Sequence, residues 1–192
     1  MIKEFCAPKV NMKEIIRYAG GKEIESTAVE CLAEAEKILS YKVCYAVVNV
    51  LINGDNVDME FTRVRSKDLS KNLRGCDKAI VFAATVGIGI DRLISKYSRV
   101  FPVRALCFQA IGSERVEALC DEFENEIKKE ISDEETFSRP RFSPGYGDLS
   151  LDIQKEIFSL LDCSRKIGVS LGDSLLMTPS KSVTAIIGFG RK

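Results

Sequence analysis

A ten-residue stretch from Arg139 to Asp148 constrains the fold of this chain more than any other part of the sequence. It reads Arg-Pro-Arg-Phe-Ser-Pro-Gly-Tyr-Gly-Asp, with two prolines and two glycines. Proline fixes φ and lacks an N–H, whereas glycine widens the range of backbone conformations, so regular helix or strand cannot continue through it. We predict a stiff loop that holds guanidinium groups, backbone amides and a phenol in place, which suits a small anionic or zwitterionic ligand.

Amphipathic patterns predict helices before this loop. Residues 12–19 form a short helix that ends at Gly20-Gly21, and residues 22–39 form a second one. The longest helix covers about 103–131, with proline in its first turn and many acidic residues in its second half. Most of these acidic residues are interpreted as solvated surface. Residues 132–137 are predicted to form an acidic connection to the loop.

Runs of β-branched and apolar residues predict strands. Residues 41–52 and 78–85 read as buried strands, and the first continues through an Asn-Gly-Asp-Asn turn into a half-exposed strand. A short helix is predicted after Ser66, which serves as its N-cap. After the loop we predict a helix over 153–161 and a hairpin, whose strands are Leu175–Met177 and Ser182–Phe189.

Because hairpins outnumber β-α-β patterns, we predict the α+β class, an antiparallel twisted sheet with helices packed on it. A length of 192 residues fits one domain, 1–192. Within it, residues 1–137 are predicted to form a body of helices and sheet, and residues 138–192 to form the loop, a helix and the hairpin.

The absence of histidine excludes several kinds of catalytic site. Without it the chain cannot build a Ser-His-Asp or Cys-His nucleophile, a histidine-containing zinc site, or a histidine ligand to a corrinoid cobalt. We therefore predict no catalytic residue and no metal site. A balance of 28 basic and 28 acidic residues argues against a nucleic-acid binder. No apolar run suits a membrane span and no secretory signal is apparent, so we expect a cytoplasmic protein.

Cysteines and glycines give weaker signals. The seven cysteines are dispersed and odd in number, which favours buried reduced thiols over a thiolate metal site. Gly87 and Gly89 follow a predicted strand and open a helix, where they could hold a phosphate or carboxylate. Since the third glycine of a dinucleotide motif is missing, we favour a structural turn.

The order of motifs after residue 139 resembles that of a known family. An Arg-x-x-Pro-Gly-Tyr loop starts at Arg141, a helix follows, and then come Ser-x-x-Met-x-Pro from Ser174 and Ser-Val from Ser182. This order resembles the C-terminal activation domain of vitamin B12-dependent methionine synthase; before residue 139 the resemblance is only architectural. Here Phe142 replaces the first proline of the family's loop. The sequence ends soon after Phe189, where large members continue with an aromatic-bearing segment.

The resemblance implies a function and a set of site residues. In that family the domain binds S-adenosylmethionine and docks on the cobalamin-carrying domain. There it supports re-methylation of oxidised cobalamin, with an electron from a flavodoxin-type donor. It implies that Arg141 pairs with the ligand's carboxylate and Asp121 with its ammonium, and that Tyr146 lies near the sulfonium. Backbone groups around Ser143 and Gly145 would meet the adenine edge. From spacing alone, the alternative is that Arg141 and Tyr146 only pin the loop to the long helix.

Three functional hypotheses follow from the resemblance. The first is a stand-alone reactivation module, an accessory component for a methionine synthase that carries the cobalamin. The second is an activator of another corrinoid methyltransferase. The third is a docking module that has lost cofactor binding, an idea to which the short C-terminus contributes.

Overall fold

The computed structural model describes residues 1–131 and 135–191, so it covers only residues 135–137 of the predicted acidic connection. The helices, in chain order, are α1 (Met12–Ala19), α2 (Glu25–Ala35), α3 (Lys67–Asn72), α4 (Gly89–Tyr97), α5 (Pro102–Ile131), α6 (Gln154–Leu161) and α7 (Cys163–Ile167). The strands are β1 (Ile2–Phe5), β2 (Tyr41–Asn49), β3 (Leu51–Asn53), β4 (Asn56–Asp58), β5 (Arg63–Arg65), β6 (Lys78–Thr85), β7 (Thr136–Ser138), β8 (Ser170–Leu171), β9 (Met177–Thr178) and β10 (Ser182–Arg191).

One antiparallel sheet organises the fold. Its strand order is β1-β2-β6-β10-β7, and every neighbouring pair is antiparallel. Helices α1, α2, α4 and α5 contribute to the core on one face, whereas α3, α6, α7 and the small sheet β3-β4-β5 contribute to the core on the other. The curled antiparallel sheet with packed helices confirms the predicted α+β class.

The central strand β6 shows why its sequence is apolar without alternation. Ile80 and Phe82 belong to the core beside α5, and the intervening Ala79 and Val81 belong to the core beside α6. Successive side chains in a strand point to opposite faces, so a strand covered on both sides needs apolar residues at every position. The predicted bounds, 78–85, are confirmed.

Most predicted helices are present, with changes at their ends. Helix α1 ends at Ala19 and is capped by Gly20, whose φ of 107° is the left-handed conformation that the glycine pair predicted. Ser66 caps α3 and accepts a hydrogen bond from the Leu69 N–H, as predicted. The second predicted helix is shorter than expected, because residues 22–24 form a 3-10 turn and α2 ends at Ala35.

The predicted C-terminal hairpin is wrong. Strand β10 pairs with β6 and β7, so both of its edges are occupied by strands of the main sheet. Residues 177–178 therefore pair with β8 instead, which precedes them by a short turn. The predicted strand after residue 56 also ends early, at Asp58, because Glu60 adopts a φ of 64° and the chain turns into β5.

Helix α5 carries the elements of the site. Phe123 is fully buried, and its ring contacts Phe82, Tyr45 and Phe5, with centroids 4.9, 5.2 and 6.3 Å away. These contacts hold the second half of the helix against the sheet and leave the opposite side of α5 exposed. Over the described ranges, no helix combines the length and apolar character that a membrane span requires.

Candidate functional site

Three carboxylates of α5 converge on one arginine of the predicted loop. Glu117, Asp121 and Glu124 lie four and three positions apart, so they share one face of the helix. Arg141 Nη1 lies 2.5 Å from Asp121 Oδ1 and 3.2 Å from Glu124 Oε2. Its Nη2 lies 2.8 Å from Glu117 Oε2. Glu124 also pairs with Lys128, whose Nζ lies 2.7 Å from Glu124 Oε1. Three carboxylates therefore meet two cations, and one negative charge stays uncompensated within this cluster.

The environment keeps Arg141 charged and the nearby thiol neutral. Burial alone would lower the pKa of Arg141, but its hydrogen bond to Asp121 and the surrounding negative groups outweigh this and raise the pKa above its ordinary value. Cys120 lies beneath the cluster, and burial raises the pKa of its thiol to about 12. The cluster therefore provides fixed charges and no reactive thiolate.

The acidic side of α5 forms one wall of a cleft of about 750 Å³, which we call the acidic cleft. Its other wall consists of the N-terminal segment 8–14 and Tyr18 of α1. Glu117 and Asp121 line this cleft and also hold Arg141, which does not itself line it. A volume of this order is typical of small-molecule sites.

Backbone hydrogen bonds fix the loop against β10. The Phe142 N–H donates to the Ile186 carbonyl at 2.8 Å, and the Ile186 N–H donates back to the Phe142 carbonyl at 2.9 Å. A proline at position 142 would lack the first of these donors. The Phe142 side chain packs into the core beside α6. Phe142 is therefore a structural anchor of the loop.

Ser143 and Gly145 shape the tight turn that follows. The Tyr146 N–H donates to the Ser143 carbonyl at 3.2 Å, and the Gly145 N–H donates to the Leu149 carbonyl at 2.9 Å. Gly145 has a φ of 87°, a left-handed conformation that favours glycine. Both residues thus contribute backbone geometry to the loop rather than functional side chains.

Tyr146 lies apart from the cluster of carboxylates. Its side chain is 68% exposed and lines a second cleft of about 430 Å³, together with residues of α3 and with Arg139 and Phe142. Neither Arg141 nor Asp121 lines this second cleft. The structure therefore brings Arg141 and Asp121 together in an ion pair, as expected for a loop that is pinned to the long helix, and places the Tyr146 ring in a different cleft.

Sequence reasoning missed Glu117, which lies 2.8 Å from the Arg141 guanidinium, compared with 2.5 Å for the predicted Asp121. The signal was available in the sequence. Acidic residues at 117, 121 and 124 repeat at helical spacing on one face of α5. Acidic residues that are only solvated can lie on any exposed face, so a shared face indicates a common partner. Glu124, interpreted as surface, is also part of the cluster, and its side chain is only 12% exposed.

Asp148 anchors the end of the loop to the start of α3. Its carboxylate accepts hydrogen bonds from Ser66 Oγ at 2.5 Å, from the Lys67 N–H at 2.8 Å and from the Asp68 N–H at 3.2 Å. The Ser66 hydroxyl, followed by these backbone donors, lowers the pKa of Asp148 below its ordinary value of 3.8.

We expect this anchor to weaken in acid. The folded-state pKa of Asp148 is depressed, so its contribution to stability is complete above pH 3.8 and is lost as the pH falls through the lower, folded value. The melting temperature of Asp148→Asn should therefore be lower than that of wild type at neutral pH, and the difference should shrink at about pH 3. The control is Asp152→Asn, since the Asp152 side chain is 70% exposed and should matter little. An equal difference at both pH values would contradict the prediction.

Two other sequence signals turn out to be structural. A Cβ on Gly89 would lie 2.7 Å from the Ile38 carbonyl oxygen, so the glycine turn is required by close packing, as predicted. All seven cysteines are free and six are buried; Cys6 is exposed and departs from the prediction of buried thiols. In the part of the chain that the structure describes, no three Cys, Asp or Glu residues are placed to hold a metal ion.

Comparisons with known proteins give two findings. A family model described as "Vitamin B12 dependent methionine synthase, activation domain" matches residues 64–191. A solved structure described as the crystal structure of the MetH reactivation domain bound to AdoHcy matches with a TM-score of 0.67 and 15% sequence identity. That match covers 98% of this chain and 78% of the other, and at this identity it shows a shared fold. A search of curated proteins gave no match.

Proposed function

The chain belongs to the family of vitamin B12-dependent methionine synthase activation domains, and from that premise we propose that it binds S-adenosylmethionine in the acidic cleft. We further propose that it serves as a reactivation module for a cobalamin-dependent methionine synthase. The partner protein would carry the cobalamin, and a flavodoxin-type protein would supply the electron. The solved relative of the same fold is described as bound to AdoHcy, the demethylated form of this ligand, which supports the proposal.

The observation that carries the proposal is the uncompensated negative charge around Arg141. S-adenosylmethionine has an ammonium, a sulfonium and a carboxylate, and therefore one net positive charge. Its ammonium would bind Asp121 or Glu117, and its carboxylate would pair with the Arg141 guanidinium, which presents two parallel donors to a carboxylate. The ligand's ammonium and carboxylate would thus replace some of the ion pairs between Arg141 and the carboxylates of α5.

The remaining predicted contacts concern the adenosyl part of the ligand. The Ser143 and Gly145 backbone lies in the turn that follows Arg141, and we propose that it contacts the adenine edge. Tyr146 stays a predicted contact; its exposed ring would have to turn from the second cleft towards the ligand. When bound, S-adenosylmethionine supplies a methyl group to a corrinoid on the partner. This chain's residues bind and orient the ligand and exclude water, so no general base is required of them.

Ligand binding tests the proposal directly. S-adenosylmethionine at about 100 times its dissociation constant should raise the melting temperature by roughly 5–10 °C. S-adenosylhomocysteine lacks the sulfonium charge and should bind more weakly. Glu117→Gln and Asp121→Asn should each reduce the affinity for both ligands by about fivefold in isothermal titration calorimetry, because both ligands carry the ammonium and one charge interaction in a partly exposed site contributes about 1 kcal/mol. Glu156→Gln, an exposed change on α6, is the control.

The absence of any binding at millimolar ligand would overturn the proposal. It would favour a docking module without cofactor, a second candidate that one observation supports: Arg141 already has three carboxylate partners and needs no ligand to be satisfied. The identity of the partner requires a separate experiment. Co-purification with a cobalamin-binding methionine synthase, compared with other corrinoid methyltransferases, distinguishes the two reactivation hypotheses.

A further inference from the structure

A buried ion pair lies beneath the acidic cleft. Arg115 has no exposed surface and Glu114 is 4% exposed. Arg115 Nε lies 2.6 Å from Glu114 Oε2, and its Nη2 lies 2.8 Å from Glu114 Oε1. Removing two charges from water is costly unless they are paired and their remaining hydrogen-bonding capacity is satisfied. The partners that satisfy this pair therefore indicate what it does.

Those partners are backbone groups of the cleft's N-terminal wall. Arg115 Nη1 donates to the Pro8 carbonyl at 2.6 Å, and its Nη2 donates to the Lys9 carbonyl at 2.8 Å. The Asn11 N–H donates to Glu114 Oε1 at 2.8 Å. All three backbone groups lie between β1 and α1, where the chain has no regular secondary structure to satisfy them.

The pair also differs in charge from the cluster around Arg141. Glu114 is neutralised by the adjacent Arg115, so it adds nothing to the uncompensated negative charge of the acidic cleft. Glu114 itself lines the cleft, as do all the residues from Pro8 to Asn11. The pair is thus placed to determine the shape of the cleft rather than its charge.

We propose that Arg115 and Glu114 are positioning residues that hold segment 8–11 as a preformed wall of the ligand site. The proposal rests on the proposed function, since the acidic cleft is taken to be the S-adenosylmethionine site. A wall that is ordered before the ligand arrives spares the binding step the conformational entropy of ordering it. An apolar pair of the same volume would pack on α5 but would leave three backbone groups without partners.

The test removes both charges together, because loss of one partner alone would leave an unpaired buried charge. In Glu114→Met/Arg115→Met, the amide of Asn11, whose N–H donates to Glu114 Oε1, should exchange with deuterium at least about tenfold faster. The dissociation constant for S-adenosylmethionine should rise about tenfold. The control, Arg104→Met, removes an ion-pairing arginine that joins α5 to α2 through Glu30 and Glu34, and should change neither value.

The two readouts separate this proposal from the proposed function. If wild type does not bind S-adenosylmethionine, the proposed function fails, and faster exchange in the double variant still supports the positioning role for segment 8–11. A folded double variant with wild-type exchange and affinity, each within about twofold, overturns the positioning role. Should that variant not fold, Arg115→Lys gives the same test, because lysine cannot reach both carbonyls while it pairs with Glu114. Unchanged exchange and affinity in that variant would again overturn it.

Discussion

Replacing Arg141 with alanine is expected to lower the melting temperature by about 4–8 °C and to abolish stabilisation by S-adenosylmethionine. Charged hydrogen bonds contribute about 2 kcal/mol when the group is largely buried, and the Arg141 side chain is 24% exposed. In a protein of this size each kcal/mol corresponds to about 2–4 °C. The change also takes the shared guanidinium from Glu117 and Asp121, which adds like-charge repulsion between them, whereas Glu124 keeps its ion pair with Lys128.

Thermal melts with and without the ligand measure both effects of this substitution. The matched control is Arg165→Ala, since the Arg165 side chain is 84% exposed and its ion pair with Asp162 should contribute little. Arg141→Lys keeps the charge but loses the two-pronged geometry, so it should retain part of the stability and lose most of the ligand response. If Arg141→Ala lowers stability but leaves the ligand response intact, Arg141 only pins the loop to α5 and the proposed contact is wrong.

The sequence was a good guide wherever local pattern and packing agree. Strand β6 was predicted with its observed bounds, because a strand with cores on both faces needs apolar residues at every position and this run is continuous in the sequence. Helix α5 was predicted almost to the residue because Pro102 starts it and its stripe continues to Ile131. In both cases the residues of the element itself predict its type and its bounds.

Strand pairing could not be predicted from local signals. The turn at residues 178–181 is compatible with a hairpin, but β10 pairs with β6, in which Thr85 is the partner of Ser182, about one hundred residues earlier in the chain. Its other neighbour, β7, lies in a segment that was interpreted as a connection. Strands that are distant in the sequence compete for such pairing, whereas the residues of a turn influence only the pairing of the two strands that the turn connects. The division of the chain at residue 137 stays a prediction.

The site was predictable in part for the same reason. The resemblance assigned Arg141 and Asp121 to one ligand, whereas a direct contact between the loop and the long helix was what the alternative predicted, and helical spacing would have added Glu117. The ion pair of Glu114 and Arg115 gave no signal, because its partners are backbone groups at Pro8, Lys9 and Asn11. Every residue has a backbone carbonyl, so the sequence does not mark which carbonyls accept hydrogen bonds from a side chain. Contacts of this kind can be identified only from the structure.

The core beneath the site should be the most sensitive part of the chain. Phe123→Ala is expected to lower the free energy of unfolding by about 3–5 kcal/mol, because a fully buried ring that contacts three other rings is replaced by a cavity. The melting temperature should therefore fall by roughly 6–20 °C. The matched control is Phe101→Ala, the same chemical change at a ring that is 57% exposed, and a fall of only a few degrees is expected there.

Comparison of Phe123→Ala with Arg141→Ala separates stability from binding. Phe123 supports α5 from the sheet side and does not line the acidic cleft, so its loss should leave ligand affinity nearly unchanged at temperatures where the variant is folded. Arg141→Ala should show the opposite balance, with a smaller loss of stability and a large loss of affinity. Denaturant unfolding and titration calorimetry on the two variants measure both quantities. Equal losses of affinity in the two variants would mean that the ligand response reports the integrity of α5 rather than a contact with Arg141.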